Sequence, residues 1–239
     1  MDTLYIVIPA YNEEANIKNV VETWYPIVVE HNGNGKSQLI IIDDGSKDNT
    51  YSILKELSKD KDLLIPLSKD NQGHGATVLY GYNYAIDNGA DYIFQTDSDG
   101  QTLPEEFEAF WNDRAKYDMV IGHRKARKDG ISRIVVTKIL RLVIYLCFGV
   151  AIKDANTPYR LLKAKTLKKY IGLIPEEHNL ANVILSIIYK KKKCAVKYIP
   201  ITFRPRQGGI NSINLKKIIV IGKKAIRDFI KINKQLNSE

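Results

Sequence analysis

Two aspartates one residue apart, Asp97 and Asp99, carry the clearest chemical potential in this chain. They lie in Gln95-Thr96-Asp97-Ser98-Asp99-Gly100-Gln101, after the apolar run Asp91-Tyr92-Ile93-Phe94 and before Leu103-Pro104-Glu105-Glu106, where proline at a first helical position marks a helix start. This order predicts a strand-to-helix turn. In an open parallel sheet such turns lie at the carboxyl ends of the strands, where ligands bind, and Gly100 lets the backbone bend sharply. Carboxylate oxygens suit Mg2+ or Mn2+, and Mg2+ takes one or two of them while substrate phosphates and waters complete its shell. The expected chemistry is a cation holding a diphosphate. A solvated turn would share this composition, so the neighbouring loops must decide.

Three further polar loops are expected on the same edge. Pro9-Ala10-Tyr11-Asn12-Glu13-Glu14 follows the first apolar run, Asp43-Asp44-Gly45-Ser46 the second, and Lys69-Asp70-Asn71-Gln72-Gly73-His74-Gly75 the third. Each could be a helix cap and nothing more. Together they make a site: Asp44 can accept hydrogen bonds from a base or ribose, and glycines at 73 and 75 let backbone N–H groups approach phosphate closely.

The elements that must position these loops alternate. Strands are predicted at Leu4 to Ile8, Gln38 to Ile42, Leu63 to Leu67, Tyr92 to Gln95 and Met119 to Ile121. Helices are predicted at Glu13 to Glu30 with an interruption near Pro26, Asn49 to Leu57, His74 to Ile86 and Pro104 to Lys116. Parallel neighbours need crossover connections, so this alternation implies an α/β fold with a mostly parallel sheet flanked by helices. Beyond it come an apolar helical stretch from Ile131 to Ile152, a helix from about Asn179 ending in Lys190-Lys191-Lys192-Lys193, and a strand at Ala195 to Ile201.

In that order, Ile8-Pro9-Ala10-Tyr11-Asn12-Glu13, Asp43-Asp44-Gly45-Ser46, Asn71-Gln72-Gly73 and Asp97-Ser98-Asp99-Gly100-Gln101 resemble the family 2 inverting nucleotide-sugar glycosyltransferases of the GT-A fold, nearest to their polyprenyl-phosphate branch. The resemblance implies that Pro9, Tyr11, Glu13 and Asp44 hold base and ribose, with Gly73 and Ser98 also on the donor. Asp97 would contact ribose or metal, and Asp99 with Gln101 the metal. Gly122-His123-Arg124 stands where the family carries Gly-x-Arg beside sugar and phosphate, and Arg133 matches a basic position near the acceptor phosphate. Asp154-Ala155-Asn156-Thr157-Pro158-Tyr159-Arg160 is similar to the family's Asp-x-x-Ser-Gly-Phe-Arg, with Thr for Ser and Pro for Gly. Asp99, Arg124 and Asp154 are expected to carry the catalysis. The implied organisation is a transferase domain over 1–212, with a nucleotide-sugar half (1–124) and an acceptor half (125–212), followed by a basic amphipathic helix over 213–239.

Breaking the bond from an anomeric carbon to a nucleoside diphosphate builds negative charge on the diphosphate, so a cation and nearby Arg or Lys lower the barrier. A glycan hydroxyl acceptor would need a general base, with Asp154, Glu176 and Glu177 the candidates. A phosphate acceptor, with a second pKa of about 6, needs none and only has to be oriented by arginines. Arg124, Arg133, Arg160, Arg204 and Arg206 lie on the segments expected to line that side.

The net charge of +9 over 239 residues calls for an anionic partner. Basic residues gather in the second half without an aromatic platform or recognition motif, which argues against nucleic acid. Leu142 to Ile152 is the longest uncharged run of the apolar stretch and falls short of the ~20 residues that span a bilayer. Near the end, Leu215, Ile218, Ile219, Gly222, Ile226, Phe229 and Ile230 share one helical face opposite lysines, which suits an anionic membrane surface or packing on the domain. No signal peptide is read at Met1-Asp2-Thr3, so the expected place is cytoplasmic and peripheral, with room for a separate membrane-protein partner. Cys147 and Cys194 lack metal-ligand spacing and are expected reduced.

Overall fold

The computed structural model describes residues 2–33, 35–124, 131–175, 179–205, 228–234 and 236, with side chains undescribed over 131–138. Seven strands form one sheet in the order β3-β2-β1-β4-β6-β5-β7. They are β1 (Leu4–Ala10), β2 (Gln38–Asp43), β3 (Leu64–Ser68), β4 (Tyr92–Gln95), β5 (Met119–Arg124), β6 (Arg160–Lys163) and β7 (Val196–Ile201). The helices are α1 (Ile17–Glu30), α2 (Thr50–Leu57), α3 (His74–Asp87), α4 (Phe107–Trp111), α5 (Ile131–Phe148), α6 (Ala164–Tyr170) and α7 (Ala181–Lys191).

Period-two alternation along each strand feeds two cores. Tyr5, Val7, Ile40 and Ile42 face α3, α5, α6 and α7, while Leu4, Ile6, Ile8, Leu39 and Ile41 face α1, α2 and α4. The second core is built around aromatic rings: Phe94 meets Phe107 edge-on at 5.0 Å and Tyr159 at 4.7 Å. On the other face α3 lies so close to the sheet that a Cβ on Gly81 would stand 2.4 Å from Val7 Cγ1 and 2.8 Å from Ile42 Cδ1.

Every strand but β6 runs in one direction. β6 lies antiparallel between β4 and β5, in the registers Gln95↔Arg160 and Ile121↔Arg160. It enters the sheet from the edge where the other strands end, so the Asp154–Tyr159 segment leading into it borders the same edge as the loops after β1, β2, β3 and β4. The sequence reading missed this strand and the helix after it. Four residues after Pro158, beginning with an arginine, carry no alternating pattern.

Several helices differ from expectation: α1 begins at Ile17 where Glu13 was expected, and α5 closes at Phe148 where Ile152 was expected. Pro26 lies inside a continuous α1, at an exposed position one turn after the exposed Glu22, whose carbonyl loses its helical donor there. The helix expected to run to Lys116 begins as a 3-10 turn at Pro104–Glu106 and closes at Trp111, whose carbonyl accepts from Arg114 Nη1 at 3.1 Å. Cys147 and Cys194 are free thiols, as expected.

At the carboxyl end, 228–234 is helical, and Phe229, Ile232 and Leu236 are buried in the same core as α5 and α7. Phe229 meets Phe148 at 5.4 Å, and Lys191 Nζ donates to Asn233 Oδ1 at 3.0 Å. Ile230, expected on the same face as Phe229, points outward instead, because successive core positions on a helix fall three and four apart. The rest of the predicted basic helix, 213–227, 235 and 237–239, lies outside the described residues.

Candidate active site

Hydrogen bonds crossing between loops join four loop corners at the carboxyl edge. After β1 the chain turns at Asn12, which adopts φ 54°; its amide donates to Ser46 Oγ at 2.9 Å and its Oδ1 accepts from Lys47 N at 2.8 Å. Glu13, buried, receives Asn16 Nδ2 at 2.7 Å, and its own amide donates to Thr50 Oγ1 at 2.8 Å. The first and second corners are therefore one unit. Pro9 is buried beneath it, and the Tyr11 ring is left 40% exposed.

Asp44 ties the second corner to the third. Its Oδ1 accepts from Lys69 Nζ at 2.6 Å and from Gln72 N at 3.0 Å, and its Oδ2 accepts from Gly73 N at 2.9 Å. Gly73 takes φ 89°, a region costly for a side-chain-bearing residue, and this brings its amide onto the carboxylate. The Asp44 side chain is only 5% exposed. Expected to face base or ribose, Asp44 here clamps the loop that leads into α3.

His74 ties the third corner to the fourth. Its Nε2 lies 3.0 Å from Asp97 Oδ1. Desolvation by its neighbours opposes its protonation although the side chain is 49% exposed, and the carboxylates of Asp97, then Asp44 and Asp99, outweigh it and hold the His74 pKa above the ordinary value. His74 was not singled out from the sequence, although a titratable residue between two glycines at a helix start was the available signal.

The Asp97–Asp99 turn is braced from within. Gly100 has φ 69°, Gln101 N donates to Asp99 Oδ1 at 3.1 Å, and the Thr96 and Thr102 hydroxyls meet at 2.7 Å. Ser98 is buried, while Asp97 and Asp99 remain partly exposed. Gln101 Nε2 donates to the Arg204 carbonyl at 2.8 Å, and Arg204 N donates back to the Gln101 carbonyl at 2.8 Å. The expected metal ligand Gln101 thus clasps the segment after β7 through its Nε2.

On the acceptor side, Arg124 at the end of β5 lies 3.5 Å from Asp154 Oδ2 through its Nε, and its guanidinium sits 4.3 Å from the centroid of Phe203. Arg160 departs from expectation. Its guanidinium has no exposed surface and donates to the carbonyls of Thr157 (3.0 Å from Nε, 2.5 Å from Nη2), Ala155 (3.3 Å) and Asn182 (3.1 Å). Burial lowers its pKa against the opposing pull of Tyr82 and Asp154. A side chain so enclosed holds the Asp154–Tyr159 segment to α7 and does not present itself to an acceptor. Arg133 belongs to α5, its side chain outside the described residues, as are Arg206, Glu176 and Glu177.

An open, mostly parallel sheet with one inserted antiparallel strand, and an Asp-x-Asp turn among polar loops at its carboxyl edge, defines a GT-A-type glycosyltransferase. The chain belongs to glycosyl transferase family 2, whose model matches residues 5–172. Among its relatives is the UDP-N-acetylglucosamine–dolichyl-phosphate N-acetylglucosaminyltransferase of Methanococcus voltae, 30% identical over 83% of this chain and 84% of that one. The polyprenol monophosphomannose synthase of Mycolicibacterium smegmatis is 26% identical over 87% of this chain and 80% of its own. In fold, the chain is similar to glucosyl-3-phosphoglycerate synthase from Mycobacterium tuberculosis in complex with Mn2+, UDP-glucose and phosphoglyceric acid: TM-score 0.70, 16% identity, 98% of this chain and 80% of that chain.

Proposed function

We propose that this glycosyltransferase moves a sugar from a UDP- or GDP-linked donor to a polyprenyl phosphate at a membrane surface, with Mg2+ or Mn2+ held by Asp97 and Asp99. The observation that carries the choice of acceptor is the pairing of Asp154 with Arg124. A hydroxyl acceptor needs a base within reach of its proton, and the one described candidate, Asp154, is buried with its Oδ2 already 3.5 Å from Arg124 Nε. A phosphate acceptor is already anionic and needs only orientation. The names of the two relatives, both of which act on a polyprenyl or dolichyl phosphate, support the same reading.

The donor set fits a cation shared with substrate. Asp97 and Asp99 stand partly exposed on one turn and offer the carboxylate oxygens such a cation takes, and diphosphate oxygens and water would complete the shell. Asp97 and Asp99 would hold this cation, which would supply neutralisation of the charge on the departing diphosphate. Within the chain, the Tyr11 and Glu13 corner seats the nucleoside, the Asp44 clamp holds the Gly73 and His74 backbone toward the diphosphate, and Arg124 faces the acceptor phosphate across the sugar. The acceptor oxygen attacks the anomeric carbon from the side opposite the diphosphate, inverting the configuration.

The described part of α5 gives the lipid a place to come from. Ile139, Leu142, Tyr145 and Leu146 are 55%, 57%, 58% and 73% exposed at helical spacing, while Ile144 and Phe148 on the other side are buried. Arg141 of the same helix donates to the Lys153 carbonyl, next to Asp154, so this apolar row is tied to the acceptor side. Such a face suits the interface of a leaflet. Among the described residues no helix is long and apolar enough to cross a membrane.

A radiolabelled-sugar assay offering polyprenyl phosphate against oligosaccharides tests the acceptor: label enters the organic phase with the lipid, and label found only on oligosaccharide would overturn the reading. Leu142→Glu with Leu146→Glu is expected to abolish sedimentation with anionic liposomes while transfer to a short-chain, water-soluble prenyl phosphate persists. Lys69→Met removes one charge-assisted hydrogen bond from the buried Asp44 carboxylate, worth about 1.5–3 kcal/mol. The expected result is a roughly tenfold or greater loss of UDP or GDP affinity by calorimetry; unchanged affinity would mean the Asp44 clamp is not needed to hold the donor loop.

A further inference from the structure

The far end of α1 carries a second constellation that glycosyl transfer does not use. His31 caps α1, and its ring is enclosed between Phe107 at 5.2 Å and Trp111 at 4.9 Å, both edge-on, leaving the side chain 9% exposed. Its Nδ1 lies 2.8 Å from the Ile27 carbonyl. A carbonyl only accepts, so the proton is on Nδ1, and a neutral ring presents its lone pair at Nε2. That lone pair faces Glu108 Oε1 at 3.0 Å. Two electron-rich atoms so close require a positive centre between them, either a proton or a metal ion.

The surroundings favour the metal. Glu30 adds a second carboxylate, and the ligand atoms of Glu30, His31 and Glu108 all lie within 4.8 Å of one another. A tetrahedral ion with ligands at about 2.0–2.1 Å separates them by about 3.3 Å, so small side-chain adjustments close the set. A proton needs only one of the two carboxylates. The last turn of α1 carries no basic side chain, and its free carbonyls add partial negative charge. The backbone is also held: Ser37 Oγ donates to the His31 carbonyl at 2.9 Å and accepts from Leu4 N at 3.0 Å, fixing the cap against β1. A histidine whose second nitrogen is committed to a carbonyl is the arrangement in which imidazoles bind metals, tautomer and ring orientation being preset.

We propose that Glu30, His31 and Glu108 form a structural site for a divalent first-row metal ion, Zn2+ by its mixed imidazole and carboxylate chemistry, with water as the remaining ligand. The ion clips the end of α1 to α4. Fourteen helical residues of about 1.5 Å each put it roughly 20 Å along α1 from the donor loops, so it is separate from the Asp97–Asp99 turn.

Calorimetric titration of the full chain with Zn2+, in an Asp99→Asn background that disables the cation turn, is expected to show one remaining site per chain. Glu108→Gln, at a half-exposed position that leaves folding intact, and His31→Gln should each weaken that site about tenfold or more. In the otherwise unaltered chain, Zn2+ should raise Tm, and in Glu108→Gln this rise should vanish while glycosyl transfer stays unchanged. If Zn2+ binds Glu108→Gln and Glu30→Gln as it binds the parent, or leaves the parent Tm where it was, the proposal fails and Glu108 is simply the partner of a protonated His31.

Discussion

Asp99→Ala is expected to lower turnover about 10²- to 10³-fold, the loss that follows when a preorganised stabiliser of developing charge is removed. Asp99 is partly exposed, so Tm should move by no more than about 2 °C, as for substitutions away from buried features. The effect should be concentrated in the metal dependence: Mn2+ should tighten nucleotide binding to the parent chain and leave binding to Asp99→Ala unchanged. Thermal-shift titration with UDP and GDP, with and without Mn2+, reads this directly, because a ligand stabilises the native state according to its occupancy. The same screen identifies the preferred base. Turnover within about threefold of the parent would remove the cation from the proposed mechanism, since a barrier change of at least 2.7 kcal/mol is being assigned to it.

Arg160→Met should act in the opposite manner, on stability before chemistry. The guanidinium is fully buried and donates to three backbone carbonyls, and Ser186 Oγ lies a further 3.4 Å from its Nη1. Methionine fills part of the volume, removes both guanidinium donors from the Thr157 carbonyl, and leaves the Ala155 and Asn182 carbonyls to share Ser186 Oγ, 3.1 and 2.8 Å away. Breaking such an arrangement costs roughly 3–5 kcal/mol, which for a chain of this length lowers Tm by about 10 °C. Lysine should rescue little, because a compact ammonium lacks the spread, fixed donors with which the guanidinium meets three separate carbonyls. In protein assayed well below its Tm, the acceptor KM should stay near the parent value. A raised acceptor KM with an unmoved Tm would return Arg160 to the acceptor role that its sequence position suggested.

These two residues mark how far the site was legible. Asp99 was read correctly as part of a strand-to-helix turn, because an apolar run, a glycine and a helix-starting proline are local signals and the turn is a local structure. Arg160 stood in a motif of the right form, but whether an arginine faces solvent or a core depends on what the fold packs around it. That packing comes from α7, some twenty residues further on, and from an antiparallel strand without a period to announce it. Lys69 and His74 show the converse. Neither was assigned a role from sequence, yet each is the link between two corners, because a salt bridge from 69 to 44 and a contact from 74 to 97 exist only once β1, β2, β3 and β4 lie side by side.

By itself the amino-acid order determined the α/β alternation, the edge on which the four polar loops lie and the aspartate pair suited to a cation, since all three follow from periodicity, turn chemistry and the direction that crossover connections impose. Tertiary structure alone decided which charged groups remain available for chemistry. It enclosed Arg160, clamped Asp44 to Lys69, paired Asp154 with Arg124 and turned the apolar row of α5 outward. The reason is physical: burial and partners set whether a charge is structural or reactive, and these are properties of neighbours distant in the chain.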